Sequence, residues 1–199
     1  NTTGNKNTAL GHEAVNNNSI GVENVGIGYH ALYQTKADIT QETAVGAYAL
    51  QKDQGGHNTA IGWNAMSGDL TDLAGKNTAV GFKSLAFNTS GAKNTAVGSE
   101  ALLNNKAGYN NIAIGEGAMW NNVTGNSNIV IGQDIALPNT STDGMIQIGT
   151  AENTKTFFGA TNVDVPSAIR DASGDEDNGF QLYVLASGEI VRGDTAVPI

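Results

Sequence analysis

The sequence predicts an all-β fold: a parallel β-solenoid, or β-roll, with coils of ~17 residues and a C-terminal β-hairpin cap. Three observations predict it. A pentad of the form Asn-x-Ala-(Val/Ile)-Gly recurs along about three quarters of the chain. A small residue followed by a large apolar one comes after each of the first eight pentads at a nearly constant offset. The composition is also that of a fibrous or stacked design: only 15% of the 199 residues are charged, against about 25% in an ordinary globular domain, and 26 are glycine.

The strand element comes first. Nine versions of the pentad end at Gly11, Gly28, Gly46, Gly62, Gly81, Gly98, Gly115, Gly132 and Gly149, with steps of 16 to 19 residues. The residue before each glycine is aliphatic: Leu10, Ile27, Val45, Ile61, Val80, Val97, Ile114, Ile131 and Ile148. Alanine stands two before the glycine in six copies, with Gly26, Val130 and Gln147 as the exceptions. Asparagine stands four before it in seven, with Glu42 and Met145 as the exceptions. Thr-Ala-Val and Ile-Ala-Ile favour strand through β-branching. Successive strand residues point to opposite faces. Alanine and its aliphatic neighbour are both apolar, so both faces are expected to be buried. Stacked coils place asparagine over asparagine, which favours an amide ladder. The glycine admits positive φ or close approach of a neighbouring backbone.

The second element lies three and four residues after the glycine. It reads Ala14-Val15, Ala31-Leu32, Ala49-Leu50, Ala65-Met66, Ser84-Leu85, Ala101-Leu102 and Ala118-Met119, and in the eighth copy Ala136-Leu137, one place later. A short strand and a helical turn both fit it, with 99–105 leaning helical. Turn formers such as Asn88–Lys93 and Asn104–Tyr109 close each coil. At ~4.8 Å per coil the stack is a rod about 40 Å long.

The pentads cease after Gly149, and all three prolines lie beyond residue 137. The chain therefore divides into a repeat solenoid, 1–150, and a C-terminal cap or connector, 151–199. Within the latter, 180–185 and 189–192 around Ala186-Ser187-Gly188 read as a hairpin. Phe157-Phe158 reads as an apolar plug, because an open solenoid end exposes its core.

A coil this thin buries few large side chains against the entropy of ordering its residues. A second buried face would remedy that, so a homo-oligomer is expected. The pentad-plus-Ala-Leu pattern in residues 77–102 resembles the repeats of phage-type tail fibres. It is similar, more loosely, to the head repeats of trimeric autotransporter adhesins. The resemblance covers roughly residues 1–150. It implies a left-handed β-roll in a homotrimer, located in a virion tail or at the cell surface. It also implies a structural, receptor-binding role in host attachment through a cell-surface glycan or protein. The alternatives are a bacterial trimeric adhesin head and a fibre-borne polysaccharide depolymerase. The irregular turns 33–42 and 67–76 would carry recognition.

No enzyme, cofactor or metal is expected. The net charge of −9 disfavours phosphate backbones, and thus nucleic acid. No apolar run is long enough to span a bilayer, so membrane insertion is not expected. Cysteine is absent, which excludes disulfides and thiolate metal sites. His12, His30 and His57 are not paired at metal-ligand spacing. Asp171, Asp175, Glu176 and Asp177 do not follow the EF-hand series and read as a solvated loop. Gly21, Gly26 and Gly28 lack the lysine of a phosphate loop. The residues left as ligand-binding candidates are aromatic. Tyr29, Trp63 and Phe82 directly follow a repeat glycine, and Tyr48 sits one further on. Tyr33 and Trp120 fall in a second column after the Ala-Leu box. Stacked, they suit either packing at a corner or between subunits, or a ridge for sugar rings.

Overall fold

The computed structural model describes residues 3–33, 39–52, 55–68, 75–150, 155–158, 181–184 and 190–193. It is all-β, a solenoid of about eight turns with ~17-residue coils. Its nine parallel strands are β1 (Thr8–Leu10), β2 (Val25–Ile27), β3 (Thr43–Val45), β4 (Thr59–Ile61), β5 (Thr78–Val80), β6 (Thr95–Val97), β7 (Ile112–Ile114), β8 (Ile129–Ile131) and β9 (Met145–Ile148). They pair in chain order and in pentad register, as in Thr78 with Thr95, Ala79 with Ala96 and Val80 with Val97. No helix occurs among the described residues.

The alternation within each strand decides the inside and outside of the rod. Ala44, Ala60, Ala79, Ala96 and Ala113 are fully buried, and Val130 takes the same place in β8. The aliphatic neighbour faces outward: Leu10, Ile61, Val97, Ile114, Ile131 and Ile148 are 37–66% exposed. The expected burial of both faces is therefore not met within one chain. The interior is so narrow that it accepts a methyl group from the strand and little more.

The remaining interior volume is filled from the second box, which is neither strand nor helix. Two residues per box adopt left-handed backbone, at two and four places after the glycine. Glu100 (φ 57°) and Leu102 (φ 53°) show the pattern, and it recurs in coil after coil. A third left-handed position lies five before the glycine, as at Lys93 (φ 58°) and Asn110 (φ 57°). Such backbone costs an L-residue roughly 1–2 kcal/mol. Cross-coil bonding offsets this: the amide of Leu85 donates to the Ala101 carbonyl and that of Leu102 to the Ala118 carbonyl, at 3.0 and 2.9 Å. The side chains of Leu32, Leu50, Met66, Leu85, Leu102 and Met119 then form a fully buried column. In the eighth copy the shift seen in the sequence holds for the leucine but not for the small residue before it. The Met119 amide donates to the Ile135 carbonyl at 2.8 Å, so Ile135 keeps the alanine register, while Ala136 turns outward and Leu137 fills the core.

The expected amide ladder is present. The backbone N–H of Asn111 donates to Asn94 Oδ1 at 3.0 Å, and its Nδ2 donates to the same oxygen at 3.1 Å and to the Gly125 carbonyl at 2.8 Å. Asn77 and Asn94 repeat this arrangement, and Asn128 does so with the Thr142 carbonyl in place of a glycine's. The ladder ends at Met145, whose amide takes the last oxygen, Asn128 Oδ1, at 2.9 Å. A second ladder runs through Asn88, Asn105 and Asn122, with Asn105 Nδ2 donating to Asn88 Oδ1 at 3.0 Å and Asn122 Nδ2 donating to Asn105 Oδ1 at 2.7 Å. Each also donates to the carbonyl of the glycine three residues on.

The corner glycines do both things expected of them. Gly98 has φ +136°, and a Cβ placed on it would collide with the Gly115 carbonyl of the next coil. Beyond the repeats, β10 (Lys155–Phe158) runs antiparallel to β9 and closes that edge of the sheet. It contains Phe157 and Phe158, the residues expected to plug the end. The predicted hairpin is formed by β11 (Gln181–Val184) and β12 (Ile190–Gly193), a two-stranded sheet of its own. The acidic segment 171–177 lies outside the described residues.

Asn111→Ala should lower unfolding free energy by about 2–4 kcal/mol, because it strands buried amide partners on both sides. Urea denaturation followed by circular dichroism measures this. Gly98→Ala should disrupt the stack at coils six and seven, since it forces backbone against backbone at a left-handed corner. Hydrogen exchange should show lost protection centred on Gly98 and Gly115, and unchanged protection there would contradict this account of the corner.

Candidate functional site

Residues just after each corner glycine leave the rod on one edge, and stacking brings them to successive rungs. The first described coils concentrate rings there. His12 stacks on Tyr29 with centroids 5.4 Å apart, and Tyr29 on His30 at 4.0 Å. Tyr48 meets Tyr29 edge-on at 5.3 Å and Trp63 at 6.3 Å. Trp63 stacks on Phe82 at 5.1 Å, with planes 14° apart. Lys83 Nζ sits over both of those rings, 5.9 and 5.2 Å from their centroids. The result is a continuous aromatic spine across five coils, ending in a cation. Its outer rings remain open to water: Tyr29, Trp63 and Phe82 are 44–45% exposed.

The structure thus unites Tyr29, Trp63 and Phe82, as the repeat offsets suggest, and adds His12, His30 and Lys83, which those offsets also contain. It does not unite Tyr33 with Trp120. They share a register position but stand in coils two and seven. Tyr33 instead stacks on His30 at 4.2 Å and joins the spine, while Trp120, 44% exposed, stands apart from it. The repeat glycines Gly11 through Gly149 line the adjoining corner.

The Tyr29 phenol is held above the ordinary tyrosine range. Withdrawal from water by its neighbours is the main cause, and Tyr48 and Glu13 add to it. On the other edge, Lys6 Nζ pairs with Glu23 at 2.9 Å and Gln41 donates to the same carboxylate at 3.0 Å. The bond from Lys6 keeps the Glu23 carboxyl below its ordinary range.

Of the two irregular turns, 34–38 and 69–74 lie outside the described residues. Beside the second, Ser67 and Gly68 border a groove of about 450 Å³ that also takes in Phe87, Thr89, Asn104 and Lys106. Phe87 is 55% exposed.

The histidines depart from the sequence reading. His12, Glu13 and His30 each place a potential ligand atom within 4.8 Å of the others, although nothing in their linear spacing signals it. The cue lay in the repeat: His12 is one place after Gly11, and His30 is two places after Gly28. No helix of the described residues is long and apolar enough to cross a membrane. In comparisons with known proteins, no family model matches the chain, and no curated protein and no solved structure is significantly similar to it.

Tyr29 binds its proton more tightly in the folded state than in the unfolded chain. It therefore favours the fold below about pH 10 and ceases to do so as pH rises through its folded pKa. Ultraviolet difference titration of wild type against Tyr29→Phe should place its midpoint above the ordinary tyrosine value. A midpoint at or below that value would contradict the packing described.

Proposed function

We propose that the chain is a structural and receptor-binding segment of a homotrimeric tail fibre. In this reading it is a left-handed β-roll, located in a virion tail or outside the cell. It acts mechanically, without catalysis and without a cofactor: a stiff rod displays its edge and turns to a host cell-surface glycan or protein.

The outer face of the sheet carries this reading. Leu10, Ile27, Val45, Ile61, Val80, Val97, Ile114, Ile131 and Ile148 form an unbroken aliphatic column about 40 Å long. The column three before the glycine adds Thr and, in the last coils, Ile112, Ile129 and Ile146. A lone soluble chain rarely leaves so continuous an apolar strip in water. A flat sheet face of β-branched residues suits close packing around an axis with copies of itself. Three aromatic spines on one rod would then turn weak sugar contacts into useful avidity. Stacking of sugar rings on Trp63 and Phe82, with Lys83 beside them, suits a glycan bearing a negative charge.

Sedimentation equilibrium of the purified chain should give the mass of three 20.5-kDa protomers, and Val97→Lys should shift it towards the monomer. A glycan array should show binding that is lost in Trp63→Ala while the trimer persists. A monomeric wild type sinks the assembly. A trimer blank on the array leaves a spacer rod and sinks the receptor role.

A further inference from the structure

The His12, Glu13 and His30 cluster has features that ring packing alone does not explain. The His30 amide donates to the His12 carbonyl at 3.1 Å, so the two side chains leave neighbouring rungs of the same edge. One ring nitrogen from each histidine and one carboxylate oxygen of Glu13 lie within 4.8 Å of one another. His30 Nε2 stands 2.8 Å from Glu13 Oε2, yet out of line for a hydrogen bond. Both His30 ring nitrogens are shielded from water and have no hydrogen-bond partner. Buried polar atoms left in that condition are uncommon. The ring is also held in place: Tyr29 and Tyr33 stack on it at 4.0 and 4.2 Å, within 12° and 9° of parallel.

We propose that His12, Glu13 and His30 form a binding site for a divalent transition-metal ion of the zinc class. Two imidazoles and one carboxylate are a donor set for zinc, cobalt(II), nickel or copper(II). Calcium and magnesium ask for oxygen donors instead. Tetrahedral zinc at bonds of about 2.0–2.1 Å needs its donors roughly 3.4 Å apart. The three atoms already approach that, and His12 and Glu13 are exposed, so rotation of their side chains closes the remainder onto the fixed His30 ring. A metal there gives one His30 nitrogen the directional partner that no hydrogen bond supplies. It also ties the first described coil to the second, adding a cross-link between rungs otherwise joined by backbone bonds. The site is complete within one chain, so it stands whether or not the trimeric fibre reading holds.

The test is isothermal titration of zinc chloride into the untagged, chelator-treated full chain. One zinc per chain is expected. His12→Ala, Glu13→Gln and His30→Gln should each weaken binding by at least about tenfold, whereas His57→Ala should not. Cobalt(II) added in place of zinc should give the intense visible bands of a low-coordinate nitrogen and oxygen site, lost in His12→Ala. Zinc should also raise the melting temperature of wild type but not of His12→Ala. His12 is exposed, so its replacement leaves the core intact even if His30→Gln proves hard to fold. Zinc affinity unchanged by His12→Ala, equal loss in His57→Ala, or calcium binding as tightly as zinc would each overturn the proposal.

Discussion

Buried amides passed from coil to coil hold this molecule in register. Asn77, Asn94 and Asn111 of the pentad column each receive a backbone N–H and a side-chain N–H from the successor on a single oxygen, and send their own Nδ2 to the preceding asparagine's oxygen and to a glycine carbonyl. A buried amide is tolerable only with its partners present, and here the partners exist only if every coil sits directly over the last. A slip of one residue would leave several of them without bonds at once. The second column, at Asn88, Asn105 and Asn122, applies the same condition beside the first, sharing the carbonyls of Gly91, Gly108 and Gly125 with it. Parallel strands of three residues could not specify that alignment alone.

Register then dictates the rest of the coil. Corners must repeat with one geometry, which is why leucine and methionine accept left-handed backbone in the box after each glycine. Each such corner aims an amide at the next coil and a large side chain at the interior. The glycines before them must stay bare, because the next coil's carbonyl occupies the space of a Cβ. What remains between the two walls is narrow enough for alanine from the strand. The aliphatic residue beside it is forced outward, where it forms an apolar strip that one chain does not cover.

The same stacking turns residues scattered in sequence into surfaces. Ring-bearing positions just after the corners of successive coils become one spine. Two histidines and a glutamate from adjacent rungs become a cluster around a ring that two tyrosines clamp. Neither surface requires a loop to be placed with special accuracy. Both follow from the rise of one strand spacing per coil, about the distance at which aromatic rings stack.

By itself the sequence determined the coil: its length, its strand, its glycine corner, its amide ladder and the hairpin near its end. These are local or periodic properties, set by β-branching, by the absence of a side chain at glycine and by hydrogen-bonding groups repeated at one interval. Only the tertiary structure decided what the Ala-Leu box is, since a left-handed corner built from leucine contradicts local preference and survives through bonds to another coil. Tertiary structure also decided which strand face looks outward, because both are apolar and only the width of the interior separates them. It kept Ile135 in register where the letters suggested a shift, and it separated Tyr33 from Trp120 while joining Tyr33 to His30. Proximity between rungs depends on where a side chain leaves its corner, and linear spacing does not carry that information.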